Sequence, residues 1–319
     1  MCCPDNVVWS GSLLAMTPVT TAPFGRTLTA MVTPFHADGS VDYDSAAALA
    51  THLVDHLAHD GLVLSGTTGE SPTVDPDEQR RLLRTVIDAV GDRASIVAGA
   101  GTNDTRHSLK LARAAAAEGA DGLLVITPYY SKPSQAGIAE HFRTIADSTE
   151  LPVMLYDIPG RTGVKLSADT MARSAEHPRI VAVKEASGDL YAGAWLMRST
   201  DLVIYSGDDA LNFAWLARGA VGVVSVTGHV AGRQHAAMVA ALDAGDLATA
   251  RQIDNDLLPI VSAIMTRAPG AVMAKAALEL QGLLPGRVVR APQQQATAEE
   301  VDLLRHELAL ANMLEDITV

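Results

Sequence analysis

From Thr27 to Val226 the chain repeats one pattern. A short run of apolar, often β-branched residues meets a polar or glycine-rich break, and a longer stretch with apolar residues at helical spacing follows. The runs are apolar at successive positions rather than alternating, which is the pattern of strands buried on both faces, as in a parallel sheet. They predict strands at Leu28–Val32, Gly61–Ser65, Ser95–Ala98, Gly122–Ile126, Pro152–Tyr156, Ile180–Lys184, Leu202–Tyr205 and Gly222–Val226. Between them, one helix is expected from about Asp42 to His59, with Leu49, Leu53 and Leu57 on one stripe. The next has a clear start, with Asp75 as N-cap, Pro76 in the first position and Glu78 closing a capping box. Further helices are expected over about Thr105–Glu118, Ser134–Ser148 and Ser167–Glu176.

Eight strand–helix units of similar length predict an α/β fold of the TIM type, a (β/α)8 barrel. An internal echo supports this: Ala117-Glu118-Gly119-Ala120-Asp121-Gly122 before the fourth strand parallels Ala217-Arg218-Gly219-Ala220-Val221-Gly222 before the eighth. The competing doubly wound sheet lacks its phosphate fingerprint, because Gly99-Ala100-Gly101 has no third glycine. Helical patterns near Gly232–Asp243, Asp246–Met265, Ala271–Gln281 and Ala298–Met313 predict a C-terminal helical appendage. The expected organisation is a flexible tail over residues 1–22 with Met16 as an alternative start, a barrel over 23–245, and a helical region over 246–319.

Composition narrows the function. A net charge of −13 argues against a nucleic-acid surface and means that an anionic substrate needs local positive charge. The two cysteines, Cys2 and Cys3, are adjacent, which is neither a disulfide framework nor a metal site and fits the reducing cytoplasm. The N-terminal apolar run is broken by Thr17, Pro18, Thr20 and Thr21, so neither a signal peptide nor a membrane span is expected. His52, His56 and His59 flank the leucine stripe of a helix expected to be exposed, and neither a metal nor a cofactor is expected.

Active sites in this fold lie at the carboxyl ends of the strands. There stand Thr67, Thr68 and Glu70, Tyr129 and Tyr130, Tyr156 and Arg161, Lys184, and Gly207 with Asp208. A lysine ending a buried strand loses hydration, so its pKa falls from about 10.4 towards neutrality, and a fall of roughly 3 pH units costs about 4 kcal/mol. Such an amine attacks carbonyl carbon and forms a Schiff base. The set suits imine chemistry on a 2-oxo acid. Threonine hydroxyls and backbone N–H groups of the Gly66–Gly69 loop can hold its carboxylate, a tyrosine can move protons, and Arg161 can clamp a second carboxylate. Asp208 and Asp209 stand where many barrels hold phosphate, which predicts an unphosphorylated substrate.

These residues resemble the motifs of the dihydrodipicolinate synthase family, within the N-acetylneuraminate lyase superfamily. The likeness runs from about Thr27 to Gly286. It is carried by Gly66-Thr67-Thr68-Gly69-Glu70-Ser71, Thr127-Pro128-Tyr129-Tyr130-Ser131-Lys132-Pro133, Tyr156 with Pro159 and Arg161-Thr162-Gly163, and Val183-Lys184-Glu185-Ala186. The resemblance implies that pyruvate forms a Schiff base with Lys184 and that the enamine adds to L-aspartate 4-semialdehyde, on the route to lysine and diaminopimelate. It implies a proton relay of Tyr156, Thr67 and Tyr130, with Tyr130 reaching across from a neighbouring subunit of a homodimer or homotetramer. It places the pyruvate carboxylate on Thr68 and the semialdehyde carboxylate on Arg161, with Gly207 and Val224 lining the pocket through backbone groups.

Two departures from the family pattern bear on function. Asp157 stands where many members have asparagine, a change expected to be tolerated. Where the family is inhibited by lysine, its effector pocket uses histidines and a glutamate. Here Pro76, Gln79 and His107 stand instead, beside retained Ser71, Asn103 and Tyr129, so weak or absent inhibition is expected. The nearest rival is a related lysine-dependent aldolase acting on a sugar-derived 2-oxo acid; a non-catalytic 2-oxo acid sensor is the rival of another class.

Overall fold

The computed structural model describes residues 21–314. Most of the tail expected over residues 1–22, with Cys2, Cys3 and Met16, lies outside them. Eight parallel strands close into a barrel in sequence order. They are β1 (Thr27–Ala30), β2 (Gly61–Leu64), β3 (Ser95–Gly99), β4 (Gly122–Ile126), β5 (Val153–Asp157), β6 (Ile180–Glu185), β7 (Val203–Ser206) and β8 (Gly222–Ser225). Pairing of β1 with β8, Leu28 opposite Val224, completes the ring. The protein is a (β/α)8 barrel.

Eight helices follow the strands: α1 (Tyr43–Thr51), α2 (Pro76–Val90), α3 (Thr105–Glu118), α4 (Gln135–Ala146), α5 (Ala168–Ser174), α6 (Leu190–Ser199), α7 (Asn212–Arg218) and α8 (Gly228–Asp243). α2 begins as its sequence dictates: the Asp75 carboxylate accepts from the N–H groups of Asp77 and Glu78, and Glu78 reaches back to the Asp75 N–H. The helix expected up to His59 is shorter, giving way at His52–His56 to a wider π-type turn. The reason is His59, which is buried rather than exposed: it bonds the Leu53 carbonyl at 2.8 Å and the Thr29 hydroxyl at 2.5 Å. Among the described residues no group of three His, Cys, Asp or Glu side chains is placed to hold a metal ion.

Inward and outward residues alternate along each strand. Leu28, Val63, Val97, Leu124, Met154, Ala182 and Val224 fill the barrel interior, over Phe24 at its amino-terminal end. Outward residues join the helices in one larger core. That core runs on without a break into α9 (Leu247–Met265), α10 (Gly270–Leu280) and α11 (Ala298–Leu310), through Ile260, Ile264, Val272, Leu278 and Leu304. Among the described residues no single helix is long and apolar enough to cross a membrane.

Candidate active site

β5 and β6 present their last inward side chains level with each other, because Tyr156 pairs in register with Lys184. The Lys184 Nζ lies 4.5 Å from the centre of the Tyr156 ring. Both side chains line a cavity of about 260 Å³ at the carboxyl end of the barrel, together with Thr67, Thr68, Arg161 and Gly207. Residues from the ends of β2, β5 and β7 thus meet the amine carried by β6.

Lys184 is buried, and loss of hydration pushes its pKa down to about 8; Arg161 adds to the fall, and the Asp209 charge opposes it. Tyr156 is driven the other way by burial, up to about 12, against the pull of the Arg161 charge and the Thr67 hydroxyl. At neutral pH the phenol therefore keeps its proton and can donate it. Gly207 makes room for the lysine stem: a Cβ there would come 2.8 Å from Lys184 Cγ and 3.0 Å from Cε. Its N–H is already given to the Glu185 carbonyl at 2.7 Å, so its N–H offers no donor to a substrate. Val224 sits one layer down in the packed interior, and Val226, two residues on, lines the cavity.

Arg161 is held on a four-residue helical turn, Pro159–Thr162, ended by Gly163 at φ +74°. The Thr162 hydroxyl ties that turn down by donating to the carbonyls of Ile158 and Val164. Beneath it, Asp157 points outward from β5. One of its oxygens accepts from the Leu166 N–H at 3.2 Å, and the other has no hydrogen-bond partner. Burial, reinforced by the nearby Glu185 carboxylate, raises Asp157 to about 7.

Two acidic residues expected at the cavity have other work. Asp209 is buried and points to β8. It accepts from the N–H groups of Val226 (2.9 Å) and Thr227 (2.8 Å), the Ser225 hydroxyl (2.5 Å) and the Asn212 amide (3.0 Å). The N–H donors after strand eight, where a phosphate would bind in such a barrel, are thus occupied by the protein's own carboxylate. Glu70, grouped by position with the chemistry-bearing residues, turns out to be buried and paired with Lys275. Lys275 was missed in the sequence, although a lone lysine amid Val272-Met273-Ala274 and Ala276-Ala277-Leu278 is a visible signal.

Tyr130 is not brought into the cavity of its own chain. It is 89 % exposed, at φ +70°. A second space of about 200 Å³ lies beside the first, sharing Thr67, Tyr156 and Arg161 and walled by Gly66, Leu124, Ile126 and Tyr129. A third, of about 470 Å³, gathers Ser71, Pro76, Gln79, Asn103, His107 and Tyr129. Asp75 and Asp104 also border it, but each caps a helix.

The chain matches the Dihydrodipicolinate synthetase family over residues 23–311. It is 62% identical to the 4-hydroxy-tetrahydrodipicolinate synthase of Kineococcus radiotolerans over 291 residues, covering 91% of this chain and 94% of that one. Among solved structures, the dihydrodipicolinate synthase of Cyanidioschyzon merolae, with lysine bound, superposes with a TM-score of 0.88 at 42% identity, covering 92% of this chain and 99% of the other. The chloride-inhibited dihydrodipicolinate synthase of Acinetobacter baumannii, complexed with pyruvate, gives 0.87 at 34% identity, covering 91% and 99%.

Proposed function

The chain belongs to the dihydrodipicolinate synthetase family, and from that premise we propose that it condenses pyruvate with L-aspartate 4-semialdehyde to 4-hydroxy-tetrahydrodipicolinate, in the cytoplasm. The observation that carries the assignment is the dehydrated Lys184 amine beside Tyr156, in a cavity shared with Arg161 and the Thr67–Thr68 loop.

The neutral amine of Lys184 attacks C2 of pyruvate, whose carboxylate rests on Thr68 and the loop N–H groups. The Tyr156 phenol, through Thr67, protonates the carbinolamine hydroxyl, and one water leaves as the imine forms. Loss of a C3 proton gives the enamine. Its C3 adds to the aldehyde carbon of the semialdehyde, whose carboxylate Arg161 holds by two parallel hydrogen bonds. The new alkoxide takes a proton and remains as the 4-hydroxyl. The semialdehyde's amino nitrogen then displaces Lys184 from C2, closing the ring and freeing the amine. Gly207 leaves room for the lysine stem, and Val224 packs beneath it in the barrel interior.

Tyr130 completes the relay in a neighbouring copy, entering the space beside Thr67 and Tyr156. Its exposure supports this reading, since a side chain turned away from its own cavity is free to serve another. The proposed assembly is a homodimer or a homotetramer of two dimers.

The test is mass spectrometry after borohydride reduction in the presence of pyruvate. The expected result is one adduct on Lys184, absent from Lys184→Arg, with semialdehyde-dependent pyruvate consumption lost in the same variant. No adduct, or an adduct elsewhere, overturns the assignment.

A further inference from the structure

Lys275 is fully buried on α10, outside the chemistry described above. Its ammonium donates to Glu70 Oε1 at 2.5 Å and to the Val288 carbonyl at 2.8 Å. The second Glu70 oxygen accepts from the Arg290 N–H at 3.0 Å. The Phe35 ring lies under the lysine nitrogen at 4.1 Å. A carboxylate at the end of the Gly66–Glu70 loop is thereby neutralised by a cation from the C-terminal helices, some two hundred residues away in sequence.

Glu70 is also the bend of that loop. Its backbone is left-handed, φ +55°, a conformation that side chains other than glycine resist and that surrounding contacts must hold. Its N–H donates to the Thr67 carbonyl at 3.1 Å, so the peptide joining Thr67 to Thr68 moves with it.

We propose that Lys275 is a positioning residue for the pyruvate step: through Glu70 it fixes the Gly66–Glu70 loop and with it the Thr68 groups that hold the pyruvate carboxylate. This rests on the assignment of Thr68 made above. Without the ammonium, the buried carboxylate loses its charge partner and turns towards water, which releases the left-handed bend. Arg161 stands on a separate loop with its own ties, so the effect is confined to one substrate.

The variants are Lys275→Met and Glu70→Gln. The readouts are the pyruvate concentration giving half-maximal borohydride trapping of Lys184, the KM for the semialdehyde, and a thermal melt. The half-saturating pyruvate concentration should rise about tenfold, which is about 1.4 kcal/mol, while the semialdehyde KM stays within twofold. If Lys275→Met fails to fold, Glu70→Gln decides, because the amide keeps the shape and still accepts from Arg290. Half-saturation within twofold of wild type, or a parallel rise in both constants, overturns the inference. A wild-type protein giving no adduct on Lys184 overturns the proposed function instead.

Discussion

Burial holds the Lys184 amine at a lowered pKa, and both its cost to the fold and the reactivity it predicts can be measured. With a pKa of about 8, roughly one amine in ten is neutral at pH 7, against about one in three thousand for an unperturbed lysine near 10.5. That is about 300-fold more nucleophile. The displacement of about 2.5 pH units corresponds to about 3 kcal/mol of destabilisation. The sign follows from linkage: between pH 8 and 10.5 the unfolded chain binds the proton that the folded chain has released, so stability rises with pH there. The cost is complete below pH 8 and gone above 10.5. Two assays follow. The rate of trapping by saturating pyruvate and cyanoborohydride should climb about tenfold from pH 6 to 7 and level off above pH 8 to 9. Lys184→Met should be inactive yet melt higher at pH 7, by on the order of 5 °C, with the gain fading towards pH 10.5. A trapping rate still climbing tenfold per unit at pH 10, with no gain in Tm for Lys184→Met, would refute the dehydrated amine.

Gly207→Ala places a methyl 2.8 Å from Lys184 Cγ and 3.0 Å from the Glu185 carbonyl oxygen, so it should slow trapping by ten- to a hundred-fold and lower the melt as well. Asp157, raised to about 7 by burial, contributes stability below pH 4 that is lost as pH rises through 7. Asp157→Asn should therefore raise Tm at pH 8 and leave it unchanged at pH 4; an equal shift at both would show that titration is not the cause. Tyr130→Ala and Lys184→Arg should each be inactive alone, whereas co-expressed hybrids should regain activity, because one of the two sites then carries neither change. No recovery in purified hybrids would place Tyr130 in its own chain's relay. Lysine should leave activity intact at millimolar concentration, since the 470 Å³ cavity presents Pro76, Gln79 and His107 to its ammonium; half-inhibition at low-millimolar lysine would disprove this.

Strand number, parallel order and the placing of Lys184 at a buried strand end were legible in the sequence, because each is a local matter. Uniformly apolar runs announce strands covered on both sides, glycine closes helices where a left-handed residue is needed, as at Gly119 and Gly219, and a strand that ends in lysine carries its chemistry with it. Tertiary structure decided what depends on distant partners. In the sequence Glu70 stood only as one polar residue among those at the strand ends, and Asp209 beside Asp208 where many barrels hold phosphate. Folding gave the first to a lysine on α10 and the second to the N–H groups after β8. Tyr130 was expected to serve a neighbouring subunit, and on its own chain its side chain stands exposed. A side chain's type and spacing reveal what it can do, but burial and pairing determine what it does, and those are set by contacts that no local stretch of sequence contains.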